Sequence, residues 1–136
     1  MAKAMASSAK GGEVSAFVKA VSANPDALTS KTVYEFVAKG DSTACAVHER
    51  ACEMLARAIG MVISTLSPDR VVLGGGVMKA GQVIIDTVRK YLPRYTIREM
   101  LEKCDIVAAK LGEDAGVLGA AALAFEKFDT PATRDI

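Results

Sequence analysis

The chain has 136 residues, about half of them hydrophobic, and 17 lysines and arginines against 16 aspartates and glutamates, for a formal net charge of +1. That composition fits one folded domain, or part of one, and argues against a disordered chain. Acidic residues are interleaved with the basic ones, so no basic block marks a nucleic-acid or anionic-membrane surface, and no apolar run approaches the ~20 residues of a transmembrane helix.

The first stretch, "MAKAMASSAKGGE", carries lysines and small residues without a continuous apolar segment, and does not read as a signal peptide. Residues 1–12 are expected to be disordered or an artificial extension. From Glu13 to Val21, Val14, Phe17, Val18 and Val21 recur at helical spacing. Asn24-Pro25 breaks that pattern. A short helix is expected over Thr29 to Ala38, with Val33, Phe36 and Val37 inward. Gly40 suits its C-terminal stop, and Asp41 or Ser42 suits the cap of the next helix. That helix is long, about Thr43 to Leu66. Its apolar stripe runs through Val47, Ala51, Met54, Leu55, Ala58, Ile59, Val62, Ile63 and Leu66, broad enough to predict cover on more than one side.

Val71 to Leu73 is a short apolar run with β-branched residues and predicts a buried strand. Gln82 to Leu92 is amphipathic and stops at Pro93; a shorter helix is expected near Ile97 to Lys103. Asp105 to Leu111 predicts a second strand, Gly112 to Asp114 a turn, and Ala115 to Lys127 a final helix rich in alanine and glycine. Residues 129–136 read as a flexible tail. The order makes the chain α/β, with two strands pairing in parallel. Two short parallel strands do not form a self-sufficient sheet, so the chain reads as part of a larger domain, or one completed by a partner.

Cys45, Cys52 and Cys104 include no Cys-x-x-Cys pair. Cys45 and Cys52 lie two helical turns apart, ~10 Å along the axis, too far to share one metal ion with His48. No zinc is expected. Reduced, buried thiols without a secretion signal point to the cytoplasm.

The "RVVLGGGVMKAG" stretch leaves two readings open. Gly74, Gly75 and Gly76 can serve a turn that needs positive φ, or can let a ligand lie against bare backbone at the end of a parallel strand. Two nucleotide motifs fail. The third glycine of G-x-G-x-x-G falls on Lys79, and Gln82 stands where a Walker A loop needs lysine. A second glycine turn, at Gly112 and Gly116, is expected on the same sheet edge, so one cleft can use both. Gly116, Gly119 and the alanines give the last helix a smooth face suited to close packing.

"SPDRVVLGGGVMKAG", then "AAKLGEDAGVLGAAALAF", with "VYEFVAKGDSTACAVHERACEMLARAIGMVISTL" before them, resembles the C-terminal part of ROK-family sugar kinases of the bacterial glucokinase type. The match covers about Thr29 to Phe125. It implies an actin-like, ribonuclease H-like ATPase domain, with residues 13–128 as its C-terminal lobe and an incomplete sheet. It also implies that Gly74, Gly75, Gly76 and Val77 belong to the adenosine side of an ATP site, with Mg²⁺ as the full-length family's metal. The family's D-x-G-G-T and G-T-G-x-G-G phosphate loops, its catalytic aspartate and its cysteine-rich zinc segment have no counterpart here. No catalytic residue is assigned, and the chain alone is expected to bind nucleotide weakly and to be inactive.

Three functions follow. The first is a fragment of an ATP-dependent hexose kinase. The second is a non-catalytic ROK-type module that forms a homo-oligomer or completes a split kinase by joining its N-terminal half. The third is an unrelated α/β ligand-binding domain, which would need four or more strands of its own.

Overall fold

A computed structural model of the chain describes residues 14–129. The expectations for residues 1–12 and for the tail beyond Asp129 lie outside them.

Helix α1 spans Ala16–Ala23, starting where the Ser15 hydroxyl accepts the Val18 N–H. It is shorter than its apolar pattern, which leaves Val14 exposed ahead of the cap while Phe17 is buried. A 3₁₀ turn at Pro25–Ala27 leads to α2, Ser30–Ala38, capped by Thr29. Gly40 (φ 74°) ends that helix, and Asp41 starts α3, Ser42–Leu66. One Asp41 carboxylate oxygen accepts the Thr43 and Ala44 N–H groups at 3.0 and 3.1 Å and the Ser15 hydroxyl at 2.9 Å; the other accepts the Phe17 N–H at 3.1 Å. A single side chain thus caps α3 and ties α1 to it. Partial desolvation opposes its ionisation, but these bonds prevail and hold the Asp41 carboxyl below its usual range.

Strand β1 is Arg70–Leu73, followed by a 3₁₀ segment Gly76–Ala80 and helix α4, Gln82–Tyr91. After a 3₁₀ turn at Leu92–Arg94 come α5 (Arg98–Leu101), β2 (Asp105–Ala108), a 3₁₀ turn at Gly112–Asp114, and α6 (Ala115–Asp129). Strand β2 ends three residues earlier than its apolar run. The Ala109 N–H still reaches the Leu73 carbonyl at 2.8 Å, but β1 supplies no further rung, and Gly112 (φ 53°) turns the chain.

The two strands pair in parallel, Val71 opposite Ile106 and Leu73 opposite Ala108. Among the described residues they are the whole sheet. The core is one cluster: Cys52, Ala56, Ile59 and Ile63 of α3, Ile84 and Val88 of α4, Leu92, Cys104 and Ile106. Leu73 and Val71 pack against it from the sheet's inner face. The strand was expected to be buried throughout, but Val72, on the other face, is 58% exposed. Among the described residues, helices cover the sheet on one side only.

The long helix is likewise covered on one side only, a correction to the reading of its stripe. Ala44, His48, Cys52, Ala56, Ile59, Gly60 and Ile63 are buried, whereas Met54, Met61, Val62 and Leu66 are exposed. The breadth of the stripe is real, but no described element packs on its outer part. Helix α6 goes further. Val117, Leu118, Leu123 and Phe125 all lie in the open, and a Cβ placed on Gly116 or Gly119 would touch nothing within 4 Å. Its smooth face has no partner among the described residues.

Candidate functional site

Where the two strands end, their two glycine turns meet. A cleft of about 350 Å³ opens there, lined by Gly74, Gly75, Met78 and Lys79 after β1, and by Ala108 at the end of β2 with residues 109–112 and Asp114 beyond it. Such a position, outside the carboxyl ends of parallel strands, is where α/β sheets hold ligands, and the volume is in the range of small-molecule sites.

Glycine is required on the first wall. Gly75 has φ 96° and ψ 172°, a region only glycine occupies without strain. A Cβ on it would meet nothing within 4 Å, so its peptide faces open space. Gly74 is closer to its neighbours: its Cβ would lie 3.4 Å from that of Ala109, so the two walls approach each other at their base. The strand tip is open, and no side chain of the described residues plugs it. Gly76 and Val77 sit elsewhere. Gly76 begins the 3₁₀ segment, and Val77, half exposed, is not among the lining residues.

The second wall was only partly visible in the sequence. Gly112 announces itself in the sequence, but Ala109, Lys110 and Leu111 read there as strand, which hides their place on the cleft. Met78 and Leu111 supply apolar surface, Gly74, Gly75 and Gly112 bare backbone, and Lys79, Lys110 and Asp114 charge. A flat ring with polar appendages suits this mixture.

A second polar cluster lies inside the helical layer. His48 is 5% exposed. Its Nε2 is 2.9 Å from the Thr87 hydroxyl, and its Nδ1 is 3.3 Å from the Tyr34 hydroxyl. Thr87 already donates its proton to the Val83 carbonyl at 2.8 Å, so it accepts from His48. Nε2 therefore carries the hydrogen and Nδ1 accepts from Tyr34, which assigns the neutral tautomer. Burial depresses the His48 pKa, opposed by Glu49 and reinforced by Lys90. Burial likewise pushes the adjacent Cys52 thiol up to about 11. Cys45, Cys52 and Cys104 are all free thiols. Among the described residues no three histidine, cysteine or acidic side chains are grouped to hold a metal ion. No described helix is long and apolar enough to cross a membrane.

The sequence profile described as "ROK family" matches residues 12–127. A glucokinase of Thermotoga maritima is 30% identical over 113 residues, which are 83% of this chain and 36% of that protein. An N-acetylmannosamine kinase of Haemophilus influenzae is 33% identical over 105 residues, 76% of this chain and 34% of the relative. The chain thus spans about a third of the length of the curated relatives it matches. Among solved structures, a sugar kinase of Cytophaga hutchinsonii superposes with a TM-score of 0.66 at 21% identity, over 80% of this chain and 39% of the other. A ROK family transcriptional regulator, a homologue of the E. coli MLC protein, reaches 0.62 at 18%, over 79% of this chain and 25% of the other. These likenesses establish the fold as part of an actin-like ATPase domain with an incomplete sheet, and the two strands set aside a self-contained α/β domain. With the profile running over nearly its whole length, the chain belongs to the ROK family.

Proposed function

We propose that this chain is the C-terminal portion of an ATP-dependent hexose kinase of the glucokinase type, that it supplies the adenosine side of the ATP site, and that it transfers no phosphoryl group alone. In this reading it acts in the cytoplasm. The observation that carries it is the open cleft at the paired strand ends, floored by Gly74 and Gly75. The kinase names of the relatives support the reaction class. The peptide planes of Gly74 and Gly75 receive the flat face of the base, Met78 and Leu111 flank it, and the Asp114 carboxylate accepts a ribose hydroxyl. ATP brings the transferable phosphoryl group and, in the full-length family, Mg²⁺; the described residues gather no carboxylates for the metal.

Titration with ATP is expected to shift the amide signals of Gly74 to Gly76 and Gly112. Gly75→Val is expected to weaken ATP binding at least about tenfold, because the side chain projects from a backbone that does not tolerate it, at a conformational cost of about 1–3 kcal/mol. Unchanged affinity in the variant, or hexose phosphorylation by the wild-type chain alone, counts against the proposal.

The exposed apolar faces of α3 and α6 favour a second reading, a non-catalytic ROK-type module that dimerises or completes a split kinase. Light scattering decides: a stable monomer at micromolar concentration weighs against self-association, and capture of a chain bearing the phosphate loops supports the split kinase.

A further inference from the structure

The cleft is more than a slot for a flat ring. Among the lining residues described are two lysines, Lys79 and Lys110, and the carboxylate of Asp114. Lys110 lies two residues past the end of β2, one residue beyond the last backbone bond to β1, and it is exposed. Among the described residues no ion pair engages its ammonium group. Its backbone is anchored by the sheet on one side and by the Gly112 turn on the other, so the side chain starts from a fixed point on the cleft wall. A mobile lysine elsewhere on the surface contributes little to any one ligand, whereas a lysine anchored at the rim of an apolar slot adds charge recognition to a ligand already seated there.

We infer that Lys110 is a specificity-determining residue that makes the cleft select phosphorylated nucleosides over the bare nucleoside. This inference rests on the nucleotide reading of the same cleft, and it assigns the preference to one side chain. The ammonium group offers a point charge to a phosphate oxygen, a contact that salt screens. Met78, Leu111 and the glycine backbone hold the base and carry no preference between adenosine and its phosphates.

The test is amide-shift titration of the chain with adenosine, ATP and inorganic tripolyphosphate, at low and raised salt, in the wild type, Lys110→Gln and Lys103→Gln. Lys103 precedes β2 and lies at its other end, so its variant makes the same change in net charge away from the cleft. ATP is expected to bind the wild type about tenfold more tightly than adenosine, with the margin narrowing in salt. Lys110→Gln is expected to remove most of that margin and leave adenosine within about twofold, while Lys103→Gln leaves both nearly unchanged. Equal wild-type affinities for ATP and adenosine, or equal losses in the two variants, overturn the inference and leave the adenosine site standing. Tripolyphosphate binding that needs Lys110, with no binding of adenosine, removes the adenine reading and overturns nucleoside selection, leaving Lys110 as a phosphate contact alone. No response to any of the three ligands at millimolar concentration overturns both.

Discussion

Gly60→Val is expected to destabilise the chain by about 3 kcal/mol, lowering the melting temperature by roughly 10 °C. Gly60 sits in the C-terminal half of α3, buried where the segment after α4 crosses it. A Cβ there would lie 2.7 Å from the Tyr95 Cβ, 2.8 Å from its carbonyl oxygen and 3.0 Å from its carbonyl carbon. Two of these three atoms are backbone, so no rotamer change relieves the clash. The segment also has little freedom to retreat. The Tyr95 N–H bonds to the Leu92 carbonyl at 2.9 Å, the Tyr95 hydroxyl donates to Glu53 at 3.1 Å, and Leu92 is fully buried in the core. Moving it away from α3 opens the contacts of Ile59 and Ile63. Gly119→Ala is expected to act in the opposite direction, stabilising by about 0.5–1 kcal/mol, because it removes backbone freedom from a helix where the new methyl meets nothing. Urea melts of the two variants check both signs, and a Gly60→Val protein as stable as wild type removes the close-approach argument.

The second large effect is proton-linked. His48 is the only histidine in the chain. Its folded pKa is depressed below the ordinary 6.5, so the unfolded chain takes up a proton at a higher pH than the folded one. The stability it contributes is complete above about 6.5 and is lost as pH falls through the folded value, with a slope approaching 1.4 kcal/mol per pH unit for one proton. Every element packed against the imidazole contributes to its surroundings: Tyr34 from α2, Glu49 and Cys52 from α3, Thr87, Lys90 and Tyr91 from α4. Glu49 accepts from the Tyr91 hydroxyl and from Lys90, which together hold its carboxyl below the usual range. With Asp41 also depressed, the carboxylate losses begin in the ordinary carboxylate range and are completed below it, lower than the His48 window. His48→Gln keeps a donor for Thr87 and an acceptor for Tyr34, and is expected to cost about 1–2 kcal/mol at pH 7.5. Its stability is expected to stay level between pH 7 and 5, where the wild type declines. Parallel declines in the two proteins would show that the imidazole is not the linked group.

Local chemistry made the helix starts legible. Asp41 is a short polar side chain placed just before apolar periodicity and caps as its type requires, while Thr29, which reads as the first residue of its helix, stands one place ahead of it as the cap. The two strand runs and their parallel pairing followed from β-branched residues between helices. What stayed hidden depends on separation along the chain. Gly60 reads as one more small residue in a helix, since nothing nearby in sequence announces that Tyr95 will lie against it. His48 reads as a histidine lacking metal-ligand spacing, and its partners Tyr34 and Thr87 come from two other helices. The cleft was half legible: three successive glycines announce themselves, but Lys110 and Leu111 look like the end of a strand until the ladder with β1 is counted. The breadth of the α3 stripe was read correctly as apolar, and its extent of cover was not, because hydrophobicity records what a surface needs and not whether a neighbour is there to meet it.

Helix α6 has a practical consequence. With Phe125 76% exposed and Val117 and Leu123 nearly as open, it is greasy on every side, and a rod of this kind in water seeks company of some sort. Purified protein is therefore expected to cloud on concentration well before heat unfolds it, and mild detergent, by coating this one helix, to keep it clear without loosening the buried layer between α3 and α4.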